Sequence, residues 1–141
     1  MKNLKKKILS FLAVLLVLTA LFLTDFAISE TYRFSLVAQS EEIVYADNSR
    51  PVTFTVSVKR GDDPAKEHSL YAVVDGGGRL MANRVKTDEN GIAEFTYYPY
   101  TANAFIPVQS VRIEIIDESN SLFFEVNAKY TIYVDLQEKP R

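Results

Sequence analysis

Cysteine and tryptophan are both missing from this 141-residue chain, and there is a single histidine, His68. Without cysteine there is no disulfide, no thiolate nucleophile, no lipid-modified thiol and no cysteine-ligated metal. Stability must come from packing and hydrogen bonds. One histidine is also a poor start for hydrolytic chemistry, because imidazole catalysis needs a nucleophile on one side and an orienting acid on the other. Lys66, Glu67 and Ser69 are no more than sequence neighbours of His68, which reads as a solvated loop residue. Gly76-Gly77-Gly78 lacks the Gly-Lys-Ser/Thr that opens a helix in a phosphate loop, so it reads as a sharp bend. Acidic turns at Asp47, Asp62-Asp63, Asp88-Glu89 and Asp117-Glu118 have no calcium-loop spacing. Asx side chains make such turns by bonding their own backbone. No catalytic residue, cofactor or metal is expected, calcium included, and the chain reads as a non-enzyme.

Charge is also missing from a long stretch near the start. From Ile8 to Leu23 no residue is ionisable, while Lys2, Lys5, Lys6 and Lys7 precede the run. Ile8, Leu9, Phe11, Leu12, Leu15, Leu16, Leu18, Leu21, Phe22 and Leu23 are the expected membrane segment. A spanning helix takes roughly 20 residues, and Thr24, Phe26, Ala27 and Ile28 extend the run if Asp25 sits among the lipid headgroups. Two readings remain open. In the first, the run is an uncleaved single-pass anchor in the cell membrane, its lysines cytoplasmic and the rest of the chain extracytoplasmic. In the second, it is a signal peptide cut after Ala27-Ile28-Ser29, which would release a secreted domain. The anchor is preferred, because the run exceeds the about 7–15 apolar residues usual for a signal, and neither glycine nor proline precedes the cut. The expected organisation is a membrane anchor or signal segment over 1–29, a folded domain over 30–136 and a tail over 137–141.

Beyond Ser29 the chain holds 12 Lys and Arg against 17 Asp and Glu, a net charge of −5. An acidic domain of this kind is not a nucleic-acid binder, since that role needs clustered basic residues. Apolar and polar residues alternate along it, the pattern of half-buried strands. Tyr32-Phe34-Leu36-Ala38, Val52-Phe54-Val56-Val58, Leu70-Ala72-Val74, Ala93-Phe95-Tyr97, Val111-Ile113-Ile115, Leu122-Phe124-Val126 and Ala128-Tyr130-Ile132-Val134 are the candidate strands. Asn90-Gly91 is a strong hairpin pair, because both residues tolerate positive φ. No helical stripe follows residue 30. About seven short strands with turn signals between them predict an all-β, immunoglobulin-like antiparallel sandwich.

Val85-Lys86-Thr87-Asp88-Glu89-Asn90-Gly91-Ile92-Ala93-Glu94-Phe95 carries a Thr-Asp-x-x-Gly-x-Ala turn running into an apolar strand. Upstream, Ala46-Asp47-Asn48-Ser49 precedes Val52-Thr53-Phe54-Thr55-Val56, and Gly76-Gly77-Gly78 precedes Arg79-Leu80. Together these segments resemble a bacterial immunoglobulin-like domain of the invasin/intimin type over roughly residues 36–134. The resemblance implies a spacer, adhesive or interaction module on a bacterial surface. Tyr98 to Val108 departs from the family pattern in being longer and richer in aromatics. Within it Tyr98, Tyr100 and Phe105 are the candidate partner contacts, the competing reading being that they cap the core at one end of the sandwich. The expected function is a membrane-anchored, non-catalytic module that engages another envelope or surface protein through this loop or through a sheet edge. The alternative is a secreted carbohydrate-binding or enzyme-accessory module that stacks tyrosines on sugars.

Overall fold

Alternation turns into two facing sheets, as the pattern requires. The structure is a computed structural model that describes residues 1–141. One helix, α1 (Lys2–Ser29), precedes strands β1 (Tyr32–Gln39), β2 (Val44–Tyr45), β3 (Val52–Arg60), β4 (Asp63–Pro64), β5 (Ser69–Asp75), β6 (Arg79–Leu80), β7 (Arg84–Lys86), β8 (Ile92–Tyr98), β9 (Ser110–Asp117) and β10 (Lys129–Gln137). Seven of these strands have three residues or more. The first sheet runs β1-β3-β8-β6 with β4 added beside β3, and the second runs β2-β10-β9-β5-β7. All pairs are antiparallel except β2 with β10.

Between the sheets lies a cluster of 19 buried residues. Phe54, Val56, Val58, Phe95 and Tyr97 come from one layer, and Leu70, Ala72, Ile113, Ile115, Ile132 and Val134 from the other. Each fully buried Val, Ile or Phe favours the fold by about 2 kcal/mol before chain entropy is charged against it. A bulge between Leu36 and Ala38 in β1 breaks its alternation and leaves Val37 on the surface. β10 continues through Gln137, one residue past the expected end of the domain.

The Thr-Asp-x-x-Gly turn has a clear mechanical basis. Asp88 Oδ1 accepts the N–H groups of Asn90 (2.8 Å) and Ile92 (2.9 Å). Gly91 has φ +72°, and a Cβ there would stand 2.4 Å from Val58 O, so only glycine fits. Val58 N–H donates to Gly91 O at 2.8 Å, which locks the turn onto β3. Thr87 Oγ1 donates to Ala65 O and accepts His68 N–H.

α1 is built from Leu, Ala, Lys and Val with neither Gly nor Pro, and it is long and apolar enough to cross a membrane. Its Thr19 and Thr24 hydroxyls donate to Leu15 O and Ala20 O (2.8 Å each), which satisfies them inside the apolar run. The last turns are joined to the sandwich. Asn127 N–H donates to Ser29 O at 3.0 Å, and Asn127 Nδ2 donates to both Glu30 carboxylate oxygens.

Two expectations need correction here. Leu122-Phe124-Val126 is not a strand. Asp25 is 6% exposed, and its carboxylate accepts the N–H groups of Leu122 (2.8 Å), Phe123 (2.7 Å) and Phe124 (3.1 Å). These donors turn toward the helix and are lost to any ladder, leaving a compact loop closed by Ser121 N–H to Phe124 O and Val126 N–H to Ser119 O (2.8 Å each). The seventh strand is β7. Nor is His68 a solvated loop residue: its ring packs at a tilt against Tyr32, with centres 4.9 Å apart, and Nδ1 lies 2.6 Å from Oδ2 of the fully buried Asp117.

Candidate partner-binding surface

Strand direction gives the sandwich two poles. Tyr32, Arg60, Ser69, Ile92, Asp117 and Lys129 gather at the pole next to α1, while Gln39, Val52, Asp75, Tyr98 and Ser110 gather at the other. The aromatic loop foreseen as a contact surface occupies the far pole.

Its three candidate residues have different surroundings. Tyr98 ends β8 half-buried, with the Arg79 guanidinium 4.4 Å from its ring centre, a cation–π contact. Tyr100 is also half-buried and packs on the core. Its hydroxyl donates to Pro107 O (2.9 Å) and accepts Gln109 N–H (3.1 Å). The Tyr100 ring lies on Gly77, where a Cβ would come within 2.8 Å of it. Phe105, by contrast, is 95% exposed, with Ile106 48% exposed beside it. Asn103 holds this tip in shape: its Oδ1 accepts the N–H groups of Phe105 (2.8 Å) and Ile106 (3.0 Å), and its own N–H donates to Ile106 O (2.8 Å). The structure thus brings Tyr98 and Tyr100 into the supporting frame and leaves Phe105 as the projecting side chain.

Beneath the loop Gly76, Gly77 and Gly78 all have positive φ, the sharp bend expected of them. Tyr97 lies fully buried against this bend and donates its hydroxyl to Gly77 O at 3.0 Å. Burial, reinforced by Tyr100, pushes the Tyr97 phenol up to about 12. At the same pole Asp47 accepts hydrogen bonds from the Ser49 hydroxyl and N–H and meets Lys139 Nζ at 3.0 Å. The Ser49 hydroxyl first, and then Lys139, hold the Asp47 carboxyl down at about 2.

His68 and Asp117 form an acid–imidazole pair, and their neighbours are structural. Ser119 Oγ accepts Ser69 N–H (2.7 Å), and Ser119 N–H donates to Asp117 Oδ1 (2.9 Å). The pair fastens the start of β5 to the end of β9. Sequence reasoning missed a second apolar tip, Leu122 (70% exposed) and Phe123 (52% exposed), at the pole beside α1. The available signal was Asp25, an acid set against an otherwise apolar helix and in need of a partner. The expected membrane-segment residues, from Ile8 to Leu23, all lie on α1 with their side chains exposed.

No protein-family profile and no curated protein matches this sequence. Among solved structures the chain is similar to the C-terminal 282-residue fragment of intimin, determined in complex with the intimin-binding domain of the translocated intimin receptor. The identity is 20%, the TM-score 0.53, and the match covers 73% of this chain and 32% of that one. It is also similar to the D00-D0 domains of intimin, at 15% identity and TM-score 0.50, over 76% of this chain and 48% of that one. The chain therefore spans between a third and a half of the structures it matches, and the likeness is one of fold. The β-sandwich that follows α1 has the immunoglobulin-like fold of the intimin domains.

Proposed function

We propose that this chain is a membrane-anchored, non-catalytic interaction module of a cell envelope, which presents the Phe105 tip to a protein partner. The observation that carries the reading is Phe105 itself: an almost fully exposed aromatic on a loop immobilised by Asn103 and Tyr100. An aromatic on a backbone already held in place gains contact area on binding at a reduced ordering cost, which is why such residues anchor interfaces. The intimin fragment crystallised with a receptor domain supports a protein as the kind of partner.

Retention of the anchor is supported by the joint between α1 and β1. Asp25 and Ser29 of the helix bond to Leu122, Phe123, Phe124 and Asn127 of the sandwich, and removal of the segment would leave those groups without their partners. In the resulting arrangement the lysines are cytoplasmic and the sandwich is extracytoplasmic. The secreted sugar-binding alternative is less well supported at this loop, where Arg79 covers one face of Tyr98 and Gly77 backs Tyr100, and the open tyrosine, Tyr133 (69% exposed), lies apart on β10.

A photo-crosslinking residue placed at 105, and separately at the exposed sheet position 133, tests the proposal in cells that make the chain. Position 105 is expected to give a discrete adduct in the membrane fraction that position 133 does not. Equal adducts from both sites, or none from 105, would remove the tip from consideration. A mature N-terminus at Glu30 would remove the anchor.

A further inference from the structure

We infer that the 121–124 loop is a second membrane contact, in which Leu122 and Phe123 enter the bilayer leaflet on the domain's side and hold the sandwich down against the lipid surface. This rests on α1 being a retained membrane span. Three observations carry it.

The first is depth. Ile8 to Thr24 is 17 residues without a charge, about 25 Å of helix, which is a little short of the roughly 30 Å hydrocarbon layer. A short span draws its flanking residues inward, so the lipid boundary falls at or beyond Asp25. The Phe123 backbone is at Asp25, to which its N–H donates, and its ring reaches to 4.6 Å from the ring of Phe22, a residue almost one helical turn to the cytoplasmic side of Asp25. Phe124 packs edge-on against both Phe22 and Phe26. The loop therefore lies alongside a part of α1 that is already within the apolar layer.

The second is surface chemistry. Leu122 and Phe123 are 70% and 52% exposed, and they continue the apolar surface of α1 without a break through the Phe22–Phe123 contact. A large apolar patch continuous with a membrane-spanning surface has one obvious solvent, the acyl chains. The charges at this pole are of both signs, Arg60 and Lys129 as well as Glu30 and Glu118, so they give no one-sided attraction to anionic headgroups.

The third is the backbone. An irregular loop is normally excluded from lipid because its N–H groups would be orphaned there. Here the N–H groups of Leu122, Phe123 and Phe124 all donate to the Asp25 carboxylate, and that of Ser121 donates to Phe124 O. The donor side of the usual penalty is removed by a residue of the span itself. The same bonds account for an acid at this depth, since the loop covers it and saturates its oxygens.

The absence of native tryptophan makes the test direct. The full-length chain is reconstituted in phosphatidylcholine vesicles whose acyl chains are brominated near the headgroup end in one set, read for position 123, and near the methyl end in another, read for position 16. Single reporters are Phe123→Trp, Leu16→Trp within the span and Phe105→Trp at the far pole. Trp at 123 is expected to be blue-shifted and to lose most of its emission to the brominated lipid, while Trp at 105 stays red-shifted and bright. Quenching at 16 with water-like, unquenched emission at 123 overturns the inference and leaves the anchor standing. Loss of quenching at both 16 and 123 overturns the anchor itself. Emission at 123 that is blue-shifted yet unquenched places protein, such as a second copy, over the loop and also overturns the inference.

Discussion

The two poles carry loops of similar size, each ending in exposed apolar side chains, yet the loops are held in different ways. The far loop organises itself. Tyr100 bonds to Pro107 and Gln109, and Asn103 bonds to Phe105 and Ile106, all within nine residues of sequence. The near loop borrows its organiser: Asp25, which accepts its N–H groups, lies 97–99 residues away in the chain and belongs to the helix. The first arrangement survives wherever the sandwich folds. The second keeps its own Ser121–Phe124 and Ser119–Val126 bonds, but three of its N–H groups are satisfied by Asp25 only while α1 is in place, so part of its shape is tied to the helix. Two similar-looking tips therefore differ in how they are tied to the rest of the chain: one depends on the sandwich alone, and the other couples the domain to α1.

The largest expected effect comes from breaking the far frame. Tyr100→Ala removes a half-buried aromatic together with both hydroxyl contacts and should cost about 2 kcal/mol, below the figure for a fully buried ring. Tyr100→Phe should lose only about 1 kcal/mol, the value of the hydroxyl bonds. Chemical denaturation measures both. A negligible loss in Tyr100→Ala would mean that the far loop is not held by this residue. Breaking the near frame should give a local effect instead. In Asp25→Ala the amides of Leu122, Phe123 and Phe124 are expected to lose their protection from hydrogen exchange, while those of Phe105 and Ile106 keep theirs. Equal change at both poles would erase the distinction between them.

Much of this frame could be read from residue order, because its signals are short-range. Val52-Phe54-Val56-Val58 and Val111-Ile113-Ile115 alternate as strands and are strands, and Gly91 marks a turn that no other residue fits. Leu122-Phe124-Val126 alternates just as well and is a loop. Periodicity carries no record of a carboxylate 97 residues upstream that takes the ladder donors. The His68–Asp117 pair, 49 residues apart, was hidden for the same reason. The candidate surface was legible as a segment, but the separation of Tyr100 from Phe105 was not. It depends on Gly77 offering a flat backbone for one ring, and nothing comparable lies beneath the other.

Titration should reach the far pole at both ends of the pH scale. Burial raises the Tyr97 phenol to about 12 from an ordinary value of 10.0. An unfolded chain would ionise first, so the stability from burying the neutral phenol is whole below pH 10 and declines as pH rises toward about 12. Tyr97→Phe should flatten that decline, as measured by denaturation midpoints across the range. Asp47 works in the opposite sense, since its carboxyl falls from 3.8 to about 2. Its contribution is present above pH 3.8 and is lost as pH drops toward 2, which frees Lys139 and the end of the chain. An alkaline decline of equal slope in Tyr97→Phe would assign it to another group.

The smallest effect on folding belongs to the residue with the largest proposed role. Phe105→Ala removes a ring that is 95% exposed, and its N–H keeps its bond to Asn103 whatever side chain it carries. Stability should stay within about 0.5 kcal/mol of the parent, as for other surface substitutions. Binding should not, because truncating a central aromatic anchor typically costs 2 kcal/mol or more of affinity, about a thirtyfold loss. The useful comparison is with Leu122→Ala at the near pole, which is equally harmless to a fold whose loop is held through backbone N–H groups. If the far tip meets a protein and the near tip meets lipid, Phe105→Ala abolishes the crosslinked adduct and leaves membrane seating unchanged, and Leu122→Ala does the reverse. A partner lost equally in both variants would mean that the two tips belong to one surface, and the division of labour between the poles would have to be given up.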